Sequence, residues 1–510
     1  MRLADLIAAL SQVTDLGMGQ PPEAATRSCL LAVGLARRMD LSERDVADVY
    51  YTTLLQHVGC TAYSHETAAL FGGDDIAVRS GGARIYFGNP KEALPYLLLE
   101  LGKGATPLGR ARAVISAISK GQKFDEELTR SNCEVAVHMT RRLGLGTGVQ
   151  RGLDEIYERW DGKGNPRRLS GDDIALPARC AQVASQAVLF NRLGGPDLAV
   201  EMVRRRMGTG LDPSIADSFV RHGRGLLAEI ASADASVAVI ATEPEPHRRI
   251  AEPGLDEVAR AFADMVDLKS PFMHGHSSAV SELAQTAAAG LGLAQADVAR
   301  VRRAGLLHDL GRTGVPNGIW DKPGPLTATE WEQVRLHPYH SERILSRSPA
   351  LAPLAPLAGM HHERQDGSGY HRQATATMIP TGARLLAAAD AYQAMTQERP
   401  HRPALTTSAA AEQLSSEAAQ GRLDGEAVRA VLEAAGHPSP HLAWPAGLSD
   451  REVQVLRLVA RGHSNREIAR LLWISPKTAG HHVQHIYAKT GVSTRAAAAM
   501  FAMEHDLIRE

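Results

Sequence analysis

The sequence predicts an all-α protein in three segments. Apolar residues recur three and four apart through most of the chain, while alternating strand patterns are scarce. Two stretches, 241–254 and 437–447, are rich in proline and poor in periodic apolar residues, which marks them as linkers. The length of 510 residues exceeds the roughly 250 that one core usually organises, so two or three domains are required. The segments are therefore 1–240, 250–436 and 447–510.

Hydrophobic residues at 44% and charged residues at 22% exclude an intrinsically disordered chain, and aromatics at 5% leave the packing to Leu, Val, Ile and Ala. The balance of 56 Lys+Arg against 57 Asp+Glu excludes a uniformly basic nucleic-acid coat but is compatible with a local basic patch. Asp5 interrupts what would be the apolar stretch of a signal peptide. No uncharged apolar run reaches the ~18 residues of a membrane span, so no membrane partner and a cytoplasmic location are expected. Cys29, Cys60, Cys133 and Cys180 show no Cys-x-x-Cys spacing, which fits reduced, buried thiols.

In the first segment the informative signal is repetition. Glu-Arg-Trp-Asp-Gly-Lys-Gly at 158–164 matches Glu-Arg-Gln-Asp-Gly-Ser-Gly at 363–369, an offset of 205. Residues 41–47 and 54–59 match 293–299 and 306–311 at an offset of 252. The first segment thus reads as a second helical domain of the same type as the middle one. His57, His65 and the cysteines match no familiar ligand spacing. Phe-Gly-Gly-Asp-Asp at 71–75 has no framing strands and reads as an ordinary loop.

Histidine concentrates in the middle: four of 21 lie before residue 241, twelve in 241–446 and five after, so chemistry is sought there. His276 opens a helix in Gly-His-Ser-Ser-Ala-Val, and His308-Asp309 ends one in Leu-Leu-His-Asp-Leu-Gly-Arg. His337 sits in Arg-Leu-His-Pro, His361-His362 lead Glu-Arg-Gln-Asp-Gly-Ser-Gly-Tyr, and Asp390 follows Leu-Leu-Ala-Ala-Ala. Each lies beside apolar helical sequence, so several helices can aim them at one place. Five imidazoles and two carboxylates suit a pair of borderline divalent ions, and a carboxylate such as Asp309 can bridge two metals about 4 Å apart.

Residues 267–402 resemble an HD-GYP domain, a helical metal-dependent phosphohydrolase. The motifs are Lys-Ser-Pro-Phe-Met-His-Gly-His-Ser, His-Asp-Leu-Gly-Arg-Thr-Gly-Val-Pro, Lys-Pro-Gly-Pro-Leu-Thr, His-His-Glu-Arg-x-Asp-Gly-Ser-Gly-Tyr and Ala-Asp-Ala-Tyr-Gln-Ala-Met-Thr-x-x-Arg-Pro. The resemblance implies His276, His308, Asp309, His337, His361, His362 and Asp390 as metal ligands, with His308, Asp309 and Arg312 catalytic. Arg312, Tyr370, Arg399 and Arg402 are the implied substrate contacts. It further implies two divalent metals, iron or manganese ahead of zinc, and a cyclic dinucleotide substrate, cyclic di-GMP first. Water would attack phosphorus in line, its pKa lowered by the metals and the developing charge stabilised by them.

Three departures stand out. Gly311-Arg312 replaces Gly-Lys, keeping the charge on a planar guanidinium. Gly369-Tyr370-His371 replaces Gly-Tyr-Pro, removing a fixed φ. Phe272 stands where some members carry a glutamate for a third metal, so two metals are expected rather than three.

Through the repeat offsets, Gln56 and His57 stand opposite His308 and Asp309, and Asn132 opposite His337. Ile156 and Tyr157 replace His361-His362, Ser185 replaces Asp390, and Arg27 and Ser28 lie near the counterpart of His276. Isoleucine, tyrosine and asparagine cannot hold a divalent pair. Segment 1–240 is therefore expected to be a degenerate HD-type domain with a sensing or dimerising role.

In the tail, Ser449 caps a first helix with inner face Val453, Leu456 and Val459, and Gly462 ends it; a second helix spans 466–472, and Ser475-Pro476 opens a third. On the third, Val483, Ile486 and Tyr487 pack inward while Lys477, His481, Gln484, His485 and Lys489 fall on the other face, as on a recognition helix. Nine Lys+Arg against six Asp+Glu make 447–510 basic. This resembles the LuxR-type helix-turn-helix, which implies double-stranded DNA as a partner and a homodimer. The expected interface residues are Asn465, Arg466, Lys477, Thr478, His481, Gln484, His485 and Lys489. Ala479-Gly480 replaces the usual Val-Lys, removing a cation and placing glycine within a helix at about 1 kcal/mol.

The expected architecture is thus all-α, two tandem HD-type helical domains followed by a LuxR-type helix-turn-helix. The expected function is a cyclic-dinucleotide phosphodiesterase coupled to transcription. Two alternatives stay open: a transcription factor whose middle domain only binds the nucleotide, and a phosphohydrolase of another phosphate ester.

Overall fold

Polar residues at the starts of the periodic apolar runs set where the helices begin. Ser42, Asp212, Asp234, Thr327, Thr406 and Asp424 each accept a first-turn amide hydrogen of the helix that follows, satisfying a donor that the helix itself leaves unpaired. The computed structural model describes residues 1–87, 89–100, 107–437, 444–505 and 507; among them there are helices and no strand. They form two units, Met1–Ala435 and Gly436–Glu510.

In the larger unit one apolar cluster runs through both halves, from Leu6, Tyr50 and Phe219 to Phe262, Leu307 and Leu386. The stretch 241–254, expected as a linker, is instead packed. Glu243 is buried and accepts from Arg2 Nε at 2.7 Å and from the Tyr51 hydroxyl at 2.7 Å. Leu3 N donates to Arg248 O and Ile250 N to Met1 O, so the stretch is pinned along the chain's first residues. Proline removed the helix without removing the contacts. Of the second expected linker, 438–443 lie outside the described residues.

The two halves repeat local geometry at the sequence offsets. Glu158 accepts from the amides of Arg167 and Leu169, and Glu363 from those of Arg372 and Ala374, each pair 205 residues apart. A Cβ on Gly59 would collide with the Asn132 carbonyl, and one on Gly311 with the His337 carbonyl, so glycine is required for the same close approach in both. All four cysteines are free and buried.

In the tail, capping boxes at Ser449/Glu452 and Ser464/Glu467 start the helices Asp450–Ala460 and Asn465–Leu471, and Ser475 caps Pro476–Thr490. The second helix lies one residue earlier than the sequence pattern placed it, because Ser464 provides a cap. Val453, Leu456, Val459, Val483 and Ile486 form the core. Ser449→Ala should lower the tail's unfolding free energy by about 1 kcal/mol while leaving the transition of Met1–Ala435 in place, as read by calorimetry on the full chain.

Candidate metal centre

Three of the candidate ligands sit at helix ends. His308 follows the helix Gln295–Leu307, His337 lies two residues past Ala328–Arg335, and His361 two past Ala355–Gly359. Carbonyls in the last turn of a helix have no partner within it. Each imidazole takes one: Nδ1 of His308 lies 2.7 Å from Gly305 O, that of His337 2.7 Å from Val334 O, and that of His361 2.6 Å from Ala358 O. A carbonyl oxygen only accepts, so the ring proton is on Nδ1 and the Nε2 lone pair points inward. His276, the first residue of His276–Gly290, does the same through Gln397 Oε1 at 3.0 Å.

Asp309 lies among these lone pairs, fully buried. Its Oδ1 is 3.3 Å from His337 Nε2 and 3.6 Å from His361 Nε2; its Oδ2 is 3.5 Å from His308 Nε2 and 3.9 Å from His276 Nε2. Asp390, inside Thr381–Thr396, completes the second side: Oδ1 is 3.1 Å from His276 Nε2 and 3.8 Å from His308 Nε2. Its Oδ2 is 3.6 Å from His362 Nδ1. The donors form three overlapping groups able to hold an ion: His337/His361/His362, His276/His308/Asp390 and His308/Asp309/His361.

The donor set fits metal cations. His308 Nε2 and Asp309 Oδ1 are buried without a hydrogen-bond partner. The Nε2 atoms of His337 and His361 face each other at 3.2 Å, two lone pairs that only a cation or a shared proton reconciles. Burial opposes the proton: it lowers the His337 and His362 imidazoles and pushes His361 down to about 4. Burial alone would raise the two carboxyls, but His308 and Arg312 around Asp309, and His276 and His362 around Asp390, hold both well below the usual range. Neutral imidazoles and ionised carboxylates are the forms that ligate divalent metal.

The expected substrate contacts divide. Arg312 Nε is 3.5 Å from Asp309 Oδ2, and its guanidinium lies over the Trp320 ring at 3.6 Å. Tyr370 stacks on His362 with centroids 4.4 Å apart, and burial pushes its hydroxyl up to about 12. Arg399 donates to Phe272 O at 3.2 Å and to Gln397 Oε1 at 3.2 Å beside His276; burial lowers it to about 10, so it stays charged at neutral pH. Arg402 is used differently: it donates to the carbonyls of Ala394, Met395, Gln397 and Pro403 and closes the end of Thr381–Thr396. Sequence reasoning missed Trp320 and Gln397. A tryptophan eight residues after Arg312, in a chain with only five, is the signal that was available.

In the first half the corresponding positions make a neutral plug. The Tyr157 hydroxyl is 2.9 Å from Cys60 Sγ and accepts from Asn132 Nδ2 at 3.3 Å, and burial pushes His57 down to about 4. Ser185 donates to Gln182 O.

On the tail, Arg466, Lys477, Thr478, His481, Gln484 and His485 are exposed on the second and third helices. Asn465 Oδ1 instead accepts from Arg495, and Lys489 Nζ is bound to Glu452 Oε2 at 2.7 Å and Gly447 O at 3.0 Å, so both take part in holding the tail together.

The chain matches the family described as HD domain over residues 260–427 and that of bacterial regulatory proteins, luxR family, over 446–502. It is 30% identical over 407 residues to 3'3'-cGAMP-specific phosphodiesterase 3 of Vibrio cholerae serotype O1, covering 79% of this chain and 88% of that one. That span is too long to lie within 250–510, so the likeness extends into the first half. A cyclic di-GMP phosphodiesterase of Thermotoga maritima is 36% identical over 148 residues, 29% of this chain and 39% of its own. A crystal structure of a cyclic GMP-AMP specific phosphodiesterase from V. cholerae matches with a TM-score of 0.60 at 26% identity, covering 86% of this chain and 98% of the other.

Elemental analysis of the purified chain should find divalent metal. Asp309→Ala should weaken its retention by at least about tenfold, while Asn132→Ala in the first half leaves it unchanged.

Proposed function

Because the chain belongs to the HD-GYP family of metal-dependent phosphohydrolases and carries a LuxR-type helix-turn-helix, we propose that its His/Asp centre opens a cyclic dinucleotide and that this activity is coupled to DNA binding by the tail. The observation that carries the reading is the position of Asp309, whose two oxygens face different donor groups. His276, His308 and Asp390 would hold one ion and His337, His361 and His362 a second, with Asp309 placed between the two sets. Mixed imidazole and carboxylate donors suit iron or manganese ahead of zinc.

When bound, the ions supply Lewis acidity and allow hydroxide to form from water near neutral pH. The chain's own residues do the rest. Asp309 is held ionised by the groups around it and keeps the two donor sets in register. Arg312, steadied on the Trp320 face, is positioned to donate to phosphate oxygens and to offset charge that develops as water adds to phosphorus and a P–O bond to ribose breaks. Arg399 adds a second cation on the His276 side. Tyr370, stacked on His362, offers an aromatic wall beside the centre.

The relative that matches through both halves is named for 3'3'-cGAMP, which supports that nucleotide ahead of cyclic di-GMP. A domain that only binds nucleotide has no need of seven converging metal donors. The DNA-binding tail supports a cytoplasmic site of action, and a homodimer is the expected form for binding a two-fold operator.

The 510-residue chain supplied with Mn²⁺ or Fe²⁺ should convert 3'3'-cGAMP, and more slowly cyclic di-GMP, to the linear dinucleotide, as resolved by chromatography. Arg312→Ala should lower kcat by roughly 100-fold. Metal-replete protein that turns over neither nucleotide would overturn the reading. For the tail, the fall of DNA affinity with salt, followed by fluorescence anisotropy, should lose about one unit of log–log slope on Lys477→Ala.

A further inference from the structure

The Phe-Gly-Gly-Asp-Asp run at 71–75 is not the ordinary loop that its composition suggests. Asp74 accepts from Ala77 N at 2.8 Å and starts the helix Asp75–Gly82, and the Asp75 carboxylate is completely buried. Its Oδ2 lies 3.1 Å from Lys269 Nζ and 2.9 Å from Arg79 Nη1; its Oδ1 accepts from the backbone N–H of Asn317 at 2.7 Å. Gly73 O accepts from Gly318 N at 2.8 Å, and a Cβ on Gly318 would collide with the Gly73 backbone. Around this contact Asn317 Nδ2 donates to Lys269 O at 2.5 Å and to Asp321 Oδ2 at 3.0 Å. Asp321 also takes a bond from Ser270 Oγ at 2.6 Å and faces His65 Nδ1 at 2.8 Å.

Asn317 and Gly318 begin the turn of helix Asn317–Trp320, which ends on the tryptophan that carries Arg312. Trp320 Nε1 donates to Arg312 O at 3.2 Å, and its ring meets His337 edge-on at 5.6 Å. Just before this turn, Thr313 Oγ1 donates to Val13 O at 3.1 Å, a second tie from the first half to the same segment. A continuous series of short contacts therefore leads from Asp75 through Asn317 and Trp320 to Arg312 and the Asp309 carboxylate.

We propose that Asp75 and Gly73 are positioning residues for the active site: the first half holds residues 310–322 so that Arg312 stays on Trp320 beside Asp309. The proposal rests on the reading of Arg312 as a phosphate contact. It gives the degenerate half a defined part in catalysis, and any ligand that shifts the 64–82 region reaches the reaction through this series.

Hydrogen exchange read by mass spectrometry on the full chain tests the positioning without reference to activity. Asp75→Asn should speed exchange across 310–322 while the helices His276–Gly290 and Thr381–Thr396 keep their protection. Gly318→Ala, which pushes the same contact apart with every charge in place, should do likewise; it serves where Asp75→Asn fails to fold with Lys269 and Arg79 left unpaired. On the nucleotide that is turned over, each variant should lower kcat by roughly tenfold or more with KM and metal content unchanged. In an Arg312→Ala background neither should lower it further. Unchanged exchange, or equal losses with and without Arg312, overturns the proposal. Absence of wild-type turnover overturns the phosphodiesterase reading instead, and the exchange result then decides the positioning by itself.

Discussion

Carbonyls in the last turns of three helices decide which nitrogen of each imidazole looks into the centre. Gly305, Val334 and Ala358 each present an oxygen in a last turn, and His308, His337 and His361 each stand three residues on, where the ring can donate to it. One interaction satisfies the helix end, selects the tautomer and aims the Nε2 lone pair. Without it the rings would be free to turn, and the facing lone pairs of His337 and His361 would drive them apart. The same constraint explains why the site draws on the ends of several helices rather than on one long one: each of these ends contributes at least one candidate donor.

Gathering lone pairs and two buried carboxylates is costly unless neighbouring cations and bound metal offset the charge. Arg312 is one such neighbour, and it is held from outside the catalytic half. Its partner Trp320 belongs to a turn whose first residues are tied to Asp75 and Gly73. The shared apolar cluster and the packed 241–254 stretch serve the same end, keeping the two halves of Met1–Ala435 as one body around a charged interior.

The convergence of the candidate donors was legible because helical sites of this kind are written in short local runs. His308-Asp309 and His361-His362 are adjacent in sequence, and each sits beside apolar residues that bury it. The helix-turn-helix was legible for a similar reason, since serine caps and apolar spacing are local signals. What escaped depends on partners far away in the chain. Asp75 pairs with a lysine 194 residues distant, and nothing near it reports that lysine. Two glycines and two aspartates look like a solvated turn until the other surface is present. Arg402 was expected at the substrate through the family resemblance and Lys489 at DNA through its place on the outer face of the third helix, yet the carbonyls of a helix end and Glu452 bind them. Charge alone does not say whether a cation is free.

Each histidine braced within its own turn has a historical consequence. A ligand supported by local backbone can be lost by a single substitution without disturbing its neighbours, so a centre of this kind can be dismantled one residue at a time while the shell survives. The first half repeats the shell: Gly59 and Glu158 keep the close approach and the paired amide bonds of Gly311 and Glu363, while tyrosine, asparagine and cysteine stand nearby. A repeated shell of this kind can serve its sibling as a scaffold.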